Sequence, residues 1–148
     1  MHVDSVDLLA PGALAEDTFD VVVSCNVLTQ LIDQHLSFVA GSDDGPERIS
    51  DAHVRAVRSA VRPGGVGIVI VDVVSSDTAD LSVGEAQLAT ALLRYLEAGN
   101  FFSGCNPFAI GAMIDREAGA PISAVSLPWR WSMGERTYLC CGVGFVTP

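Results

Sequence analysis

Three adjacent residues, Ser24-Cys25-Asn26, bring a hydroxyl, a thiol and an amide together directly after Phe19-Asp20-Val21-Val22-Val23. The β-branched run reads as a buried parallel strand. Ser24, Cys25 and Asn26 then sit at the carboxyl end of that strand, where open α/β sheets bind their ligands. A plainer role stands beside this one: Asn26 caps the following helix and Cys25 packs as a small apolar side chain. Gln30, one turn on, reaches the same cleft or stays in solvent. Cys25 as a nucleophile would have its thiolate favoured by the N–H groups of a helix start. It would also need a base. His35 lies nine residues beyond Asn26, roughly 13 Å along a helix, which is too far, and His53 would have to fold back. Asp20 and Asp72 flank strands instead of converging, so no acid–base pair for hydrolysis is evident.

The other reactive residue types carry weaker signals. Cys25, Cys105, Cys140 and Cys141 show no C-x-x-C spacing, and the adjacent pair would point to opposite faces of a strand. They read as reduced, mostly buried thiols of a cytoplasmic protein. His2, His35 and His53 have no metal-ligand spacing, so no structural metal is expected. Two G-x-G triplets occur, Gly65-Val66-Gly67 and Gly142-Val143-Gly144. A cofactor loop follows a strand and opens a helix; the first triplet precedes a strand and the second lies inside one, so neither qualifies. Trp129, Trp131 and Tyr138 form an aromatic cluster whose default role is packing.

The elements that would position these groups follow from pattern. The 148 residues suit one domain with a real core. Val3 to Leu9 reads as a short strand closed by Ala10-Pro11-Gly12. After the strand ending at Ser24, Leu28, Leu31, Ile32, Leu36 and Val39 make one apolar helix face, stopped at Gly41. Ser50 can cap a second helix with Val54, Val57 and Val61 as its buried stripe. Arg62-Pro63-Gly64-Gly65 reads as a turn feeding Val66 to Val74, the most apolar and hence most central strand. Ser82 and Glu85 suit a capping box for a helix running to about Ala98 and stopped by Gly99. Asn106-Pro107 starts another helix, ending near Gly119. Ile122 to Trp131 and Arg136 to Val146 form a closing hairpin around Ser132-Met133-Gly134-Glu135. The predicted class is α/β: a partial doubly wound, mostly parallel sheet flanked by helices, with the hairpin adding one antiparallel strand at an edge.

Acidic residues outnumber basic ones 18 to 8, a formal charge of −10 that repels phosphate backbones; nucleic acid is a poor partner. The longest apolar run, Val66 to Val71 and on through Val73 and Val74, is far short of the ~20 residues of a membrane span. The first residues lack the basic and apolar regions of a signal peptide. A cytoplasmic, membrane-free protein is expected.

Phe19 to Leu28, with its aromatic-Asp-hydrophobic run and Ser24-Cys25-Asn26-Val27-Leu28 tail, resembles the fourth strand and following loop of class I, Rossmann-like S-adenosylmethionine methyltransferases. Val61-Arg62-Pro63-Gly64-Gly65 and Ile68 to Asp72 are similar to that family's "L-R-P-G-G" turn and fifth strand. Trp129-Arg130-Trp131 and Arg136-Thr137-Tyr138-Leu139 resemble its closing hairpin, and Gly104-Cys105-Asn106-Pro107 resembles one subgroup. The resemblance implies a single domain, residues 1–148, carrying the C-terminal half of the fold from about the third strand onward. It implies that Asp7 accepts a hydrogen bond from the adenine amino group, that Leu8 packs on the ring, and that Ser24, Cys25 and Asn26 face the transferred methyl group and the substrate. The glycine-rich loop and the ribose-binding acid of the family are absent, so no cofactor is expected for the chain alone. S-adenosylmethionine is expected only if the fold is completed. The resemblance also implies that two central strands are missing beside Val21 to Ser24. Either Val3 to Leu9 pairs there, or two copies join as a homodimer through the exposed edge or uncovered faces. Two functions follow: a structural or interaction remnant without methyl transfer of its own, or an active methyltransferase completed by an N-terminal segment or a partner chain.

Overall fold

The computed structural model describes residues 17–38 and 45–148. The expected strand Val3 to Leu9, the helix stop at Gly41, and with them Asp7 and Leu8, lie outside the described residues. The chain enters strand β1 (Phe19–Cys25), then helix α1 (Val27–Phe38) and helix α2 (Gly45–Ala60). Helix α2 runs without a break into the long strand β2 (Val61–Ser75). A single 3₁₀ turn (Glu85–Gln87) leads into α3 (Leu88–Glu97), followed by α4 (Pro107–Ala118). Three strands close the chain: β3 (Ser123–Val125), β4 (Trp129–Met133) and β5 (Arg136–Val146).

β1 and β2 lie side by side and run in the same direction, with Val21 opposite Val66, Val23 opposite Ile68 and Cys25 opposite Ile70. The rest of the sheet departs from the expected pattern. The lateral order is β1-β2-β5-β3, with β4 also paired to β5. Only β1–β2 is parallel; β2–β5, β3–β5 and β4–β5 are antiparallel, so the sheet is not mostly parallel. The hairpin does not add its last strand at an edge either. A two-residue Gly134-Glu135 turn, with Gly134 at φ 63°, obliges β5 to run back against β4. β5 carries the continuous buried stretch Leu139 to Val143, whereas β4 is half-buried to exposed throughout. The more apolar strand takes the interior place beside β2, and β3 and β4 share the outer edge.

Local chemistry explains further differences. Ser126-Leu127-Pro128 divides the expected strand Ile122 to Trp131 into β3 and β4. Arg62 to Gly65 is an excursion within β2, bulging where two β1 residues, Phe19 and Val21, face Val61 and Val66. Ser50 is no cap: α2 starts at Gly45, and Ser50 Oγ donates to the Gly104 carbonyl at 2.6 Å. Val61 belongs to β2, so the helix stripe is Ile49, His53, Val54, Val57 and Ala60. Ser82 caps nothing, because Asp80 Oδ1 captures it locally. Gln87 Oε1 instead accepts from the Gly84 N–H. Asn106 does cap α4, accepting from the Phe108 and Ala109 N–H groups, and Gly119 ends that helix in the left-handed region.

Alternation along the strands gives the sheet two unlike faces. One face carries Val22 and Ser24 of β1, Gly67, Val69 and Val71 of β2, and Cys141, Val143 and Phe145 of β5. Helices α1, α2 and α4 pack on this side, burying Leu28, Ile32, Val54, Val57, Ile110 and Ile114 into one core. Gly67 is required there, since a Cβ at this position would overlap the Phe145 ring. The other face carries Val21, Val23 and Cys25, then Val66, Ile68 and Ile70, then Val146. Val21 is 56% exposed and Val23 53%. Among the described residues, β1 pairs only with β2. No helix among the described residues is long and apolar enough to cross a membrane.

Candidate functional site

The carboxyl ends of β1 and β2 meet at Asn26. This residue adopts φ 53°, the left-handed conformation that asparagine tolerates better than most. Its N–H donates to the Ile70 carbonyl at 3.0 Å, extending the β1–β2 pairing by one step. The twist turns its side chain across the sheet, where Nδ2 donates to Asp72 Oδ1 at 3.0 Å. Its Oδ1 accepts from the Cys25 thiol at 3.9 Å, so the amide is engaged through both of its polar atoms. Cys140 of β5 donates its thiol to the same Asp72 oxygen at 3.2 Å. One carboxylate thus ties together β1, β2 and β5.

Asp72 is only 8% exposed. Burial pushes its pKa above the ordinary carboxylate range, and the hydrogen bond from Cys140 opposes part of that rise. The Cys140 thiol is pushed far up, first by burial and then by the carboxylate it faces. Burial likewise raises Cys105 and Cys141 to about 12, which makes them inert thiols. Among the described residues the four cysteines are unbridged, and Cys25 alone is exposed.

A cavity of about 300 Å³ opens beside this cluster, with Cys25, Asn26 and Asp72 on its floor and Phe102, Trp131 and Tyr138 among its walls. The Phe102 and Tyr138 rings stand 6.5 Å apart in a tilted arrangement. Two of the three expected loop residues, Cys25 and Asn26, reach this cavity, and so does Gln30. Ser24 does not. Alternation sends it to the helix-covered face, where its Oγ lies 2.7 Å from His53 Nε2 of α2. His53 is buried, and desolvation holds its pKa below the usual imidazole value, so the ring is neutral at pH 7. The base that Cys25 would need is instead engaged by Ser24, facing away from the thiol.

Sequence reasoning missed Asp72, which reads as a strand-flanking acid until β5 is known to lie beside it. It also missed the aromatic wall, since Trp131 and Tyr138 look like simple hairpin packing. The visible signal was the polar residue interrupting the run Val66 to Val74 on the side of Ile68 and Ile70. A second, broader depression of about 560 Å³ lies near Asp80, Arg130 and Thr137. Arg130 is already paired with Glu85 and bonded to the Leu81 carbonyl, and Asp80 accepts from the Ser82 N–H and hydroxyl. Among the described residues, no group of three or more His, Cys, Asp or Glu is arranged to hold a metal ion. No protein-family model matches the chain, and comparison with curated proteins finds no match.

Proposed function

We propose that the chain is a methyltransferase-like protein that does not bind S-adenosylmethionine in the usual way on its own, a structural or interaction remnant of that fold. The observation that carries the reading is the meeting of Cys25, Asn26 and Asp72 at the carboxyl ends of a parallel strand pair, where such folds place their ligands. The lateral sequence of fourth-strand, fifth-strand and closing-hairpin segments that the resemblance implies is compatible with β1, β2, β5 and β4. The described residues do not fit the cofactor's usual grip. β1 passes to α1 through Asn26 alone, with no glycine cradle, and residues 76–84 after β2 contain only Gly84. Calorimetric titration with S-adenosylhomocysteine tests the reading. No binding at micromolar ligand is expected, and micromolar affinity of the chain alone would overturn it.

The polar floor of the cavity favours a second reading, an active methyltransferase completed by an N-terminal segment or a partner chain. Inspection of the upstream DNA for an in-frame strand, glycine loop and helix separates the two. Either way, the β1 edge, which pairs on one side only among the described residues, and the apolar face around Val21 and Val23 support a homodimer with this surface in its interface. Light scattering that finds a stable monomer at micromolar concentration argues against the dimer.

A further inference from the structure

We infer that the cavity at the ends of β1, β2 and β5 binds a small organic ammonium ion, with Asp72 as its counter-charge and Phe102, Trp131 and Tyr138 as its walls. The inference needs the cavity but no methyl donor, so it stands apart from the methyltransferase reading.

Asp72 supplies the first reason. A carboxylate so nearly buried is costly unless a cation or several donors compensate it. Its donors, Asn26 Nδ2 and Cys140 Sγ, are both neutral and both act on Oδ1. Among the described residues no lysine, arginine or histidine forms an ion pair with it. An ammonium group carries three N–H donors and a full positive charge, which this oxygen pair lacks.

The walls supply the second reason. Aromatic faces attract organic cations through the ring quadrupole, and they also accept an apolar ligand body. Trp131 is 48% exposed and lines the cavity, opposite Tyr138 across the hairpin. A hydrated metal ion would gain little from such walls. The volume, about 300 Å³, lies at the small end of ligand cavities and suits a single ring or a short chain.

Electrostatics supply the third. Asp72 is the carboxylate at the convergence of β1, β2 and β5 in this lining. Arg136 also lines the cavity and opposes a cation, but its Nη2 is paired with Asp77 Oδ2 at 2.6 Å and its Nη1 donates to the Tyr138 hydroxyl. The formal charge of −10 draws cations toward the whole surface and repels phosphate or carboxylate ligands.

The test uses the full chain at pH 7 and two probes of nearly equal shape, benzylamine and neutral benzyl alcohol, followed by amide and indole NMR shifts. Benzylamine is expected to shift Asn26, Asp72 and Trp131 with a dissociation constant in the millimolar range, and benzyl alcohol to bind about tenfold more weakly. Asp72→Asn, which keeps the shape and removes the charge, is expected to abolish that preference. Trp131→Leu, at a half-exposed site that leaves the core intact, is expected to weaken benzylamine binding by about threefold to tenfold. Equal affinity for amine and alcohol in the native chain would overturn the inference, leaving an apolar pocket only. So would the absence of benzylamine shifts at these residues, or binding indifferent to Trp131→Leu should Asp72→Asn fail to fold.

Discussion

The two faces of the sheet are built from similar β-branched residues and meet opposite fates. Val22 and Val23 are neighbours in sequence; the first packs against the core and the second is more than half exposed. The same split separates Ser24, locked onto His53, from Cys25, which opens into the cavity. A strand's composition therefore says little about burial without knowledge of what lies above each face. Stability is concentrated on the helix-covered side, while Val21 and Val23 on the other face stay more than half exposed.

The sharpest way to break this contrast is a pair of substitutions read by urea denaturation. Ile114→Ala, at a fully buried site of α4, is expected to lose about 2–5 kcal/mol. Val23→Thr on the uncovered face is expected to stay within about 0.5 kcal/mol in the monomer. A comparable loss at both sites would show that Val23 is covered in solution. Next in size is Gly67→Ala, which forces a methyl into the Phe145 ring and should cost about 1–3 kcal/mol by the same assay.

Smaller effects come from pH, and the two faces should respond with opposite signs. His53 has a folded pKa below its unfolded value of 6.5, so its neutral form is fully compatible with the fold above that pH. Stability is lost as pH falls through 6.5 toward the folded value. Asp72 has a folded pKa raised above the ordinary 3.8, so the native state holds its proton more tightly. Stability therefore falls as pH rises from 3.8 to the folded value, then levels. His53→Gln should flatten the first slope and Asp72→Asn the second in thermal melts across pH 3 to 8 (an approximate range). Slopes unchanged by these substitutions would assign the pH response elsewhere. The smallest effect is expected at Arg62, paired with Asp20 where both side chains are at least half exposed. Arg62→Ala should change stability by less than about 1 kcal/mol, and less still in high salt.

Much of this arrangement is readable from local pattern. The β-branched runs place β1 and β2, and Asn106-Pro107 with Gly119 brackets α4, because each signal acts within a few residues. The site is less legible because its contacts are long-range. Asn26 reaches Asp72 across 46 positions, and Ser24 reaches His53 across 29. Helix-cap chemistry at Ser82 is overridden by an aspartate two residues earlier. The interior position of β5 was available in principle, since Leu139 to Val143 is more apolar than β4. Strand direction follows from the turn, but lateral order depends on which neighbour offers the larger buried surface.

The place of β5 beside β2 has a consequence for biosynthesis. Asp72 and its thiol partner are separated by 68 positions, so β2 leaves the ribosome long before the strand that will flank it. Until then one side of the most apolar segment in the chain presents unmatched amide and carbonyl groups. Contacts so distant along the chain slow assembly, because closing the intervening loop precedes any gain from pairing. During that interval the nascent polypeptide is vulnerable to association through β2, and a holdase chaperone that masks it should raise the yield of folded protein.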